Sequence, residues 1–200
     1  PALKRADIGC AMGVVGTEVA KGAADMVLTD DNFATVVVAV EEGRRIKDNI
    51  MKAINYLLSC NVGELLTLLV AVLFNWGVPL IPIHILWVNL VTDSLPALAL
   101  GVDPAEEDIM DRDPDTSDSL ISKKAMWRIL YQGVMIGGIT LFAYMYGSGR
   151  LWNPEGSVEM GQTMAFTVLA FSPLVHAFNI HSPRKSIFST FFKNKWLLLA

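Results

Sequence analysis

Long apolar segments alternate with short polar ones over most of this chain. Four of the apolar segments are about 20 residues long, which is the length that crosses a bilayer as a helix. They cover about residues 55–75, 81–102, 126–146 and 162–181. Another apolar run begins at residue 196. The pattern therefore predicts a mainly α-helical bundle of several membrane spans over residues 55–200.

The first 35 residues follow a different pattern, typical of a water-soluble α/β layer. Short apolar runs at 8–12 and 25–29 predict two buried strands. Between them, Thr17 is placed to cap a helix rich in alanine. A strand, a helix and a second strand in this order favour a parallel pair. Gly13 and Gly16 predict a tight turn, because the rest of a phosphate-loop fingerprint is missing.

A single long helix is predicted from about residue 33 to the end of the first apolar segment. Its early part, 36–54, carries most of its charged side chains, and we interpret it as a cytoplasmic stalk. The chain is therefore divided into an α/β piece over 1–35, a stalk over 36–54 and a membrane domain over 55–200.

The composition agrees with a membrane protein and argues against other classes. Hydrophobic residues make up 52% of the chain and the mean hydropathy is +0.42, both high for a soluble domain. The net charge of −4 comes without a basic run interleaved with aromatic residues, which disfavours nucleic-acid binding. The two cysteines, Cys10 and Cys60, fit no metal-binding or redox spacing.

Lysine and arginine are concentrated before the first span, between the second and third spans, and after the fourth. The positive-inside rule therefore places residues 1–54, 103–125 and 182–195 on the cytoplasmic side. The segment 103–125 also contains Asp-Pro repeats, but their spacing does not match an EF-hand. We interpret it as a solvated acidic loop.

Prolines and glycines predict local departures from regular helices. Pro96 predicts that the second span opens and frees backbone carbonyls. Pro173 predicts an interruption of the fourth span. Gly133 and Gly137 form a small-xxx-small pair, which predicts close packing of the third span against a neighbouring helix.

Polar side chains recur at helical spacing within the first two spans. The first span carries Asn61 and Glu64, and the second carries Asn89, Thr92 and Asp93. Each set shares one helix face, and lipid satisfies neither face, so the two are expected to meet. Two carboxylates with amide and hydroxyl oxygens suit Ca²⁺, which takes about six to eight oxygen ligands.

Other interpretations of these polar faces stay open at this point. The set contains neither histidine nor cysteine, which disfavours a transition metal. Paired carboxylates in a low dielectric also suit a proton relay. Interhelical hydrogen bonds without any ion would be a purely structural explanation.

Several phrases of the sequence resemble those of P-type cation-transporting ATPases of the calcium-pump type. The resemblance extends over nearly the whole chain. The phrases cover residues 1–9, 24–33, 61–64, 87–101 and 108–112. The first two resemble the final part of the family's phosphorylation domain. The third and fourth resemble the ion-binding motifs of its fifth and sixth membrane helices.

This resemblance implies that residues 1–35 are the end of an α/β, haloacid-dehalogenase-like phosphorylation domain. It implies ATP hydrolysis through an aspartyl-phosphate, with protons carried in the direction opposite to Ca²⁺. ATP, Mg²⁺ and the phosphorylated aspartate would be held by parts outside this chain, so the chain alone is expected to be an inactive piece of a longer pump. The residues implied to coordinate transported Ca²⁺ are Asn61, Glu64, Asn89, Thr92 and Asp93.

Two other functions are compatible with carboxylates inside a membrane. One is a P-type pump for another divalent cation such as Mn²⁺, because oxygen ligands discriminate weakly among such ions. The other is a channel or an ion-coupled secondary transporter, which the α/β piece and the stalk disfavour. The pump itself is expected in the lipid bilayer of the plasma membrane or of an internal calcium-storing membrane.

Overall fold

The structure is a computed structural model that describes residues 1–106, 108–113, 121–181 and 194–199. The chain divides into two units. The first unit contains Pro1–Ile46 and Ala105–Asp113, and the second contains Lys47–Pro104 and Pro114–Ala200. All five candidate ligands belong to the second unit. The domain boundaries at residues 35 and 54 stay a prediction.

A short parallel sheet lies within the first unit. Its elements are helix α1 (Ala2–Arg5), strand β1 (Cys10–Met12), helix α2 (Glu18–Lys21) and strand β2 (Met26–Leu28). The strands pair in parallel, with Cys10 opposite Met26. The Thr17 side chain accepts a hydrogen bond from the Ala20 amide, which caps α2. The predicted strand–helix–strand order and the predicted cap are confirmed.

The loop after β1 binds a carboxylate of the same chain. The backbone amides of Val14 and Val15 donate to the Asp31 carboxylate oxygens at 2.8 and 2.7 Å. These bonds hold the pKa of Asp31 below its ordinary value. Gly13 is required where the loop touches β2, because a Cβ there would lie 2.7 Å from the Leu28 carbonyl oxygen.

Arg44 fixes the segment Ala105–Asp113 within the first unit. Its guanidinium donates to the carbonyl oxygens of Ile109 and Arg112 at 2.9 and 2.8 Å. Arg112 pairs in turn with Asp108 at 2.9 Å, and Ile109 is buried. This part of the predicted acidic loop is therefore held by hydrogen bonds.

A helix of 40 residues, α3 (Ala34–Leu73), confirms the single long helix predicted from the sequence. Its residues up to Ile46 belong to the first unit and the rest to the second. The Asn32 side chain accepts a hydrogen bond from the Ala34 amide at 3.0 Å, so one of the first amides of the helix has a partner.

Helices also build the rest of the second unit. After α3 come α4 (Pro82–Trp87), a π turn (Val88–Thr92), α5 (Ser94–Gly101), α6 (Lys123–Gly147), α7 (Val158–His181) and α8 (Lys195–Leu199). Among the described residues, four helical segments are long and apolar enough to cross a membrane: α3, Pro82–Gly101, α6 and α7. They confirm the four predicted spans. Many large apolar side chains on them are exposed, as lipid contact requires; examples are Leu65, Val72, Leu90, Leu98 and Phe171.

Two predicted interruptions differ from the structure. The second span opens at the π turn, one turn before Pro96, and α5 continues through the proline. Pro96 is the third residue of α5, where the first amides of a helix have no intrahelical acceptor, so its missing N–H costs little. The predicted break at Pro173 is wrong, because α7 runs through it. Neighbouring helices can satisfy the backbone groups that a proline frees within a membrane.

Close packing of α6 on α3 confirms the prediction from Gly133 and Gly137. A Cβ on Gly133 would lie 2.4 Å from Val62 Cγ1, and one on Gly137 would lie 2.9 Å from the Gly63 carbonyl oxygen. The Thr67 hydroxyl is 3.5 Å from the Gly137 carbonyl oxygen. Glycine at these positions lets the two backbones approach.

Asp103, predicted to begin a solvated loop, is instead wholly buried. Lys52 and His181 place nitrogen atoms 2.7 and 2.8 Å from its carboxylate. These partners compensate the charge and so allow its burial. Residues 107 and 114–120 of the predicted acidic loop lie outside the described residues, as do residues 182–193 of the segment predicted to be cytoplasmic after the fourth span.

Candidate cation site

The π turn sets the positions of the polar residues on the second span. The Asp93 amide donates to the Val88 carbonyl at 2.8 Å, whereas in an α-helix it would bond to Asn89. The freed Asn89 carbonyl accepts a hydrogen bond from the Ser94 hydroxyl at 2.9 Å. A π turn shifts the phase of the helix by one residue and is frequent at functional sites.

Glu64 and Asn89 join the first two spans. The Asn89 amide nitrogen donates to Glu64 Oε2 at 3.0 Å and to the Ile85 carbonyl at 3.0 Å. Glu64 is 5% exposed, and Asn89 is half-buried. The prediction that the polar faces of the two spans meet is confirmed by this bond.

Asp93 also lies against α3. Its side chain is fully buried, and its Oδ1 atom is 3.5 Å from the Tyr56 hydroxyl oxygen. Tyr56, Cys60 and Glu64 follow one another at four-residue intervals on α3 and share a face. Asn89 and Asp93 are also four residues apart, so the two helices pair here in antiparallel order.

Helix geometry places the Glu64–Asn89 and Tyr56–Asp93 contacts in neighbouring parts of one helix interface. Eight residues of an α-helix cover about 12 Å of its axis, and four cover about 6 Å. With Glu64 opposite Asn89, Asp93 lies at about the level of Cys60, and the long Tyr56 side chain reaches it from the next turn. The two carboxylates therefore occupy successive turns of the same interface.

Each of the two carboxylates keeps one oxygen without a partner. Glu64 Oε1 and Asp93 Oδ2 are buried and form no hydrogen bond with any described residue. A buried carboxylate oxygen without a donor or a cation is costly in a low-dielectric interior. Two such oxygens on facing helices, with an amide beside them, are typical of a site for a cation that binds and leaves.

The other predicted ligands are placed less directly. Asn61 is exposed, and its Nδ2 atom donates to the Leu57 carbonyl of its own helix at 2.9 Å. Thr92 ends the π turn and is half-buried. The structure thus groups Glu64 with Asn89 and brings Asp93 to the same interface, with Thr92 adjacent in the chain and Asn61 turned away.

The ligands available here are oxygen atoms. Within the described residues, no group of three or more His, Cys, Asp or Glu side chains could hold a metal ion. Two carboxylates must therefore be supplemented by neutral oxygens, which Ca²⁺ accepts readily. For Asn89 to be a ligand, its amide must turn so that Oδ1 replaces Nδ2 toward the ion. Binding would then replace the Asn89–Glu64 hydrogen bond by two bonds to the cation.

Three residues in this region were not selected from the sequence: Tyr56, Ser59 and His176. Tyr56 contacts Asp93, and its ring stacks on that of His176 in α7 with centroids 6.1 Å apart. His176 is buried, with Nε2 2.9 Å from the Ser59 hydroxyl oxygen. The eight-residue spacing from Glu64 was a signal that could have found Tyr56. Nothing in the sequence pairs His176 with α3.

The chain is similar to known cation transporters. A family model for the C-terminus of cation-transporting ATPases matches residues 77–200. Calcium-transporting ATPase 1 of Bacillus cereus is 50% identical over 100% of this chain and 24% of its own length. The calcium-transporting ATPase of Bacillus subtilis is 46% identical over 99% of this chain and 22% of its own length. An endoplasmic reticulum calcium ATPase of Aspergillus fumigatus is 50% identical over 78% of this chain and 16% of its own length. The chain thus spans less than a quarter of these relatives.

Proposed function

Because the chain belongs to the cation-transporting ATPases, we propose that it forms the C-terminal membrane part of an ATP-driven Ca²⁺ pump. The full-length protein would export Ca²⁺ from the cytosol through an aspartyl-phosphate cycle. ATP and Mg²⁺ would bind to parts outside this chain, which alone would be inactive. The names of the similar bacterial and fungal proteins support Ca²⁺ as the transported ion.

One observation supports the choice of Glu64 and Asp93 as ligands of the transported cation. Glu64 Oε1 and Asp93 Oδ2 are buried without a partner, on two spans that the Asn89–Glu64 hydrogen bond joins. A transported cation satisfies both oxygens when it binds and leaves them when it is released. A carboxylate pair that served only to hold helices together would be expected to have its donors within the protein.

The proposed ligands differ in what they supply. Glu64 and Asp93 supply negative charge, and Asn89 supplies its amide oxygen. Thr92 has both a hydroxyl and a backbone carbonyl to offer. Because Pro96 has no N–H, the Thr92 carbonyl lacks its α-helical donor and is available to an ion.

Asn61 is a conditional member of the proposed ligand set. Its amide is bonded to the Leu57 carbonyl on the exposed side of α3. It lies three residues before Glu64, so a change of its side-chain rotamer would bring its oxygen toward the same turn of the helix. We therefore place it in the site only when the ion is bound.

Protons would move through the same site in the opposite direction. Two buried carboxylates without a cation are costly to keep charged in a low dielectric. Each would take up a proton when Ca²⁺ leaves and release it before Ca²⁺ binds again. The cation and the protons would thus alternate on the same oxygen atoms.

The test of this function is Asp93→Asn in the full-length protein. We expect the variant to reach the membrane but to lose Ca²⁺-dependent phosphorylation by ATP, because one of two charged ligands is gone. Phosphorylation by inorganic phosphate without Ca²⁺ should persist, since that step needs no Ca²⁺ at the membrane site. Phosphoenzyme formation is measured against Ca²⁺ concentration in isolated membranes.

Glu155→Gln is the matched control, because Glu155 is an exposed carboxylate outside the four spans. It should leave the Ca²⁺ dependence unchanged. The same unchanged dependence in Asp93→Asn would remove Asp93 from the site. Wild-type protein that is phosphorylated with Mn²⁺ and not with Ca²⁺ would favour a pump for that other cation.

A further inference from the structure

The second span needs a fixed point outside the cation site. The π turn interrupts its α-helical hydrogen bonding just before Asp93, and α5 has only eight residues. Apart from Ser94, the side chains of α5 are apolar or absent. No polar stripe therefore sets the rotation of α5 about its own axis. Ala99 and Leu100 pack into the apolar core, and polar contacts at the C-terminal end of the helix add to this packing in setting the position of Asp93.

Two other segments donate hydrogen bonds to that end. The Asn49 amide nitrogen on α3 donates to the carbonyl oxygens of Gly101 and Asp103 at 3.3 and 2.8 Å. The Asn194 amide nitrogen, just before α8, donates to the Ala99 carbonyl oxygen at 2.9 Å. The last carbonyls of a helix have no intrahelical donor, so these bonds complete the end of α5.

Asp103 lies at the centre of this arrangement. Its carboxylate accepts hydrogen bonds from Lys52 Nζ at 2.7 Å and Asn194 Nδ2 at 2.8 Å, and His181 Nδ1 lies 2.8 Å away. The exposed fraction is 0% for Asp103 and at most 8% for its three partners. We call this set the Asp103 cluster; its members are Asn49, Lys52, Asp103, His181 and Asn194.

The cluster connects four helices through groups whose hydrogen bonding is satisfied. Lys52 lies on α3, His181 ends α7, and Asn194 accepts hydrogen bonds from the Trp196 and Leu197 amides at the start of α8. The Lys52 ammonium also lies near the C-terminal end of α5, where a positive charge is favourable.

Helix α3 therefore holds the second span at two points. Asn49 and Lys52 hold its C-terminal end through Asp103, and Glu64 holds its centre through Asn89. Twelve residues separate Lys52 from Glu64, or about 18 Å of helix. If the first point is released, the short helix α5 can rotate or slide, and the ligands of the second span move with it.

We propose that Asp103 is a positioning residue for the cation site. It fixes the end of α5 to α3, α7 and α8, and thereby holds Asn89 and Asp93 against Glu64. Asp103 is ten residues from Asp93, or about 15 Å along a helix, and does not touch the ion. The inference rests on the proposed function, because it concerns the affinity for the transported cation.

The test is Asp103→Asn in the full-length pump in isolated membranes. We expect the Ca²⁺ concentration for half-maximal phosphorylation by ATP to rise about tenfold, as for residues that act on a site through connected contacts. Phosphorylation by inorganic phosphate should stay near the wild-type level. Asp113→Asn, an exposed carboxylate in the neighbouring segment, is the control and should change neither quantity.

A second variant keeps the test decisive if Asp103→Asn does not fold. Lys52→Met combined with Asp103→Asn leaves no unpaired buried charge in the pair, so folded protein should accumulate. The end of α5 is still released in this double variant. The same rise in the half-maximal Ca²⁺ concentration is therefore expected.

Two outcomes would overturn the positioning role. One is a wild-type Ca²⁺ dependence in the folded variants. The other is a loss of phosphoenzyme that only follows the loss of folded protein, with the half-maximal Ca²⁺ concentration unchanged. The proposed function would fail in a different way, if the wild-type protein itself showed no Ca²⁺-dependent phosphorylation.

Discussion

The second span carries two fully buried carboxylates, Asp93 in its centre and Asp103 just past its end. The Asp103 carboxylate is surrounded by an ammonium, an imidazole and an amide of the same chain, all within 2.8 Å. The Asp93 carboxylate has a contact of 3.5 Å to the Tyr56 hydroxyl and a second oxygen without a partner among the described residues. The two groups are equally buried but differ in how their charge is compensated.

This difference distinguishes a structural role from the transport role that we propose for Asp93. A buried carboxylate with a cationic partner in the same chain can hold helices together without an ion from outside. A buried carboxylate without one must be satisfied by a proton or by an ion from outside. Glu64 belongs with Asp93 in this respect, because its Oε1 atom is also buried without a partner.

The largest expected effect comes from removing the permanent cation of Asp103. In Lys52→Met the carboxylate stays buried without its ammonium, so we expect the free energy of unfolding to fall by about 3 kcal/mol. Thermal unfolding of the purified full-length protein measures the loss. Lys124→Met, exposed at the start of α6, is the control. Equal unfolding midpoints for the two variants would mean that Asp103 is compensated without Lys52.

Local periodicity explains what could be predicted from the sequence. The four spans, the long helix α3 and the strand–helix–strand order depend on the spacing of apolar residues, and the structure confirms them. The predicted ends of the helices are less accurate than the predicted helices themselves. For example, α6 begins next to its polar cap Ser122, outside the apolar segment. A polar cap belongs to the helix but not to the hydrophobic pattern.

Contacts between distant segments could not be predicted in this way. The partners of Asp103 lie 51, 78 and 91 residues away, and spacing along one helix contains no information about them. An acidic residue among Asp-Pro repeats therefore suggested a solvated loop. The candidate ligands were predicted from spacing and resemblance, but only the structure distinguishes Glu64, which faces the second span, from Asn61, which bonds to its own helix.

Glu64→Gln tests the comparison between compensated and uncompensated buried carboxylates at the cation site. Without Ca²⁺, a buried Glu64 is costly whether it stays charged or takes up a proton, and glutamine removes this cost while keeping an acceptor for Asn89. We expect the Ca²⁺-free protein to gain about 1 kcal/mol of stability, opposite in sign to Lys52→Met. Added Ca²⁺ should raise the unfolding midpoint of the wild-type protein and not that of the variant.

Glu159→Gln, exposed in the first turn of α7, is the control for this measurement. Its unfolding midpoint should follow the wild-type protein with and without Ca²⁺. A lower stability of Glu64→Gln in the absence of Ca²⁺ would show that Glu64 has a permanent counter-charge. It would then belong with Asp103.

The smallest effect is expected at Asp31, a carboxylate at the surface of the first unit. The Val14 and Val15 amides hold its pKa below the ordinary value of 3.8. A lowered pKa in the folded protein means that ionised Asp31 stabilises the loop above about pH 4. This contribution is lost as the pH falls through the folded pKa. It is small, because water screens an exposed charge.

Hydrogen exchange at the Val14 and Val15 amides of the full-length protein measures this contribution. After correction for the intrinsic pH dependence of exchange, wild-type protection should fall in acid, and that of Asp31→Asn should not. An equal change in both proteins would mean that the carboxylate does not hold the loop. The expected result would show that hydrogen bonds within the chain compensate a carboxylate at the surface, as they compensate the buried carboxylate of Asp103. Glu64 and Asp93 would then differ from both in having one oxygen each without a partner, and burial alone would not explain the difference.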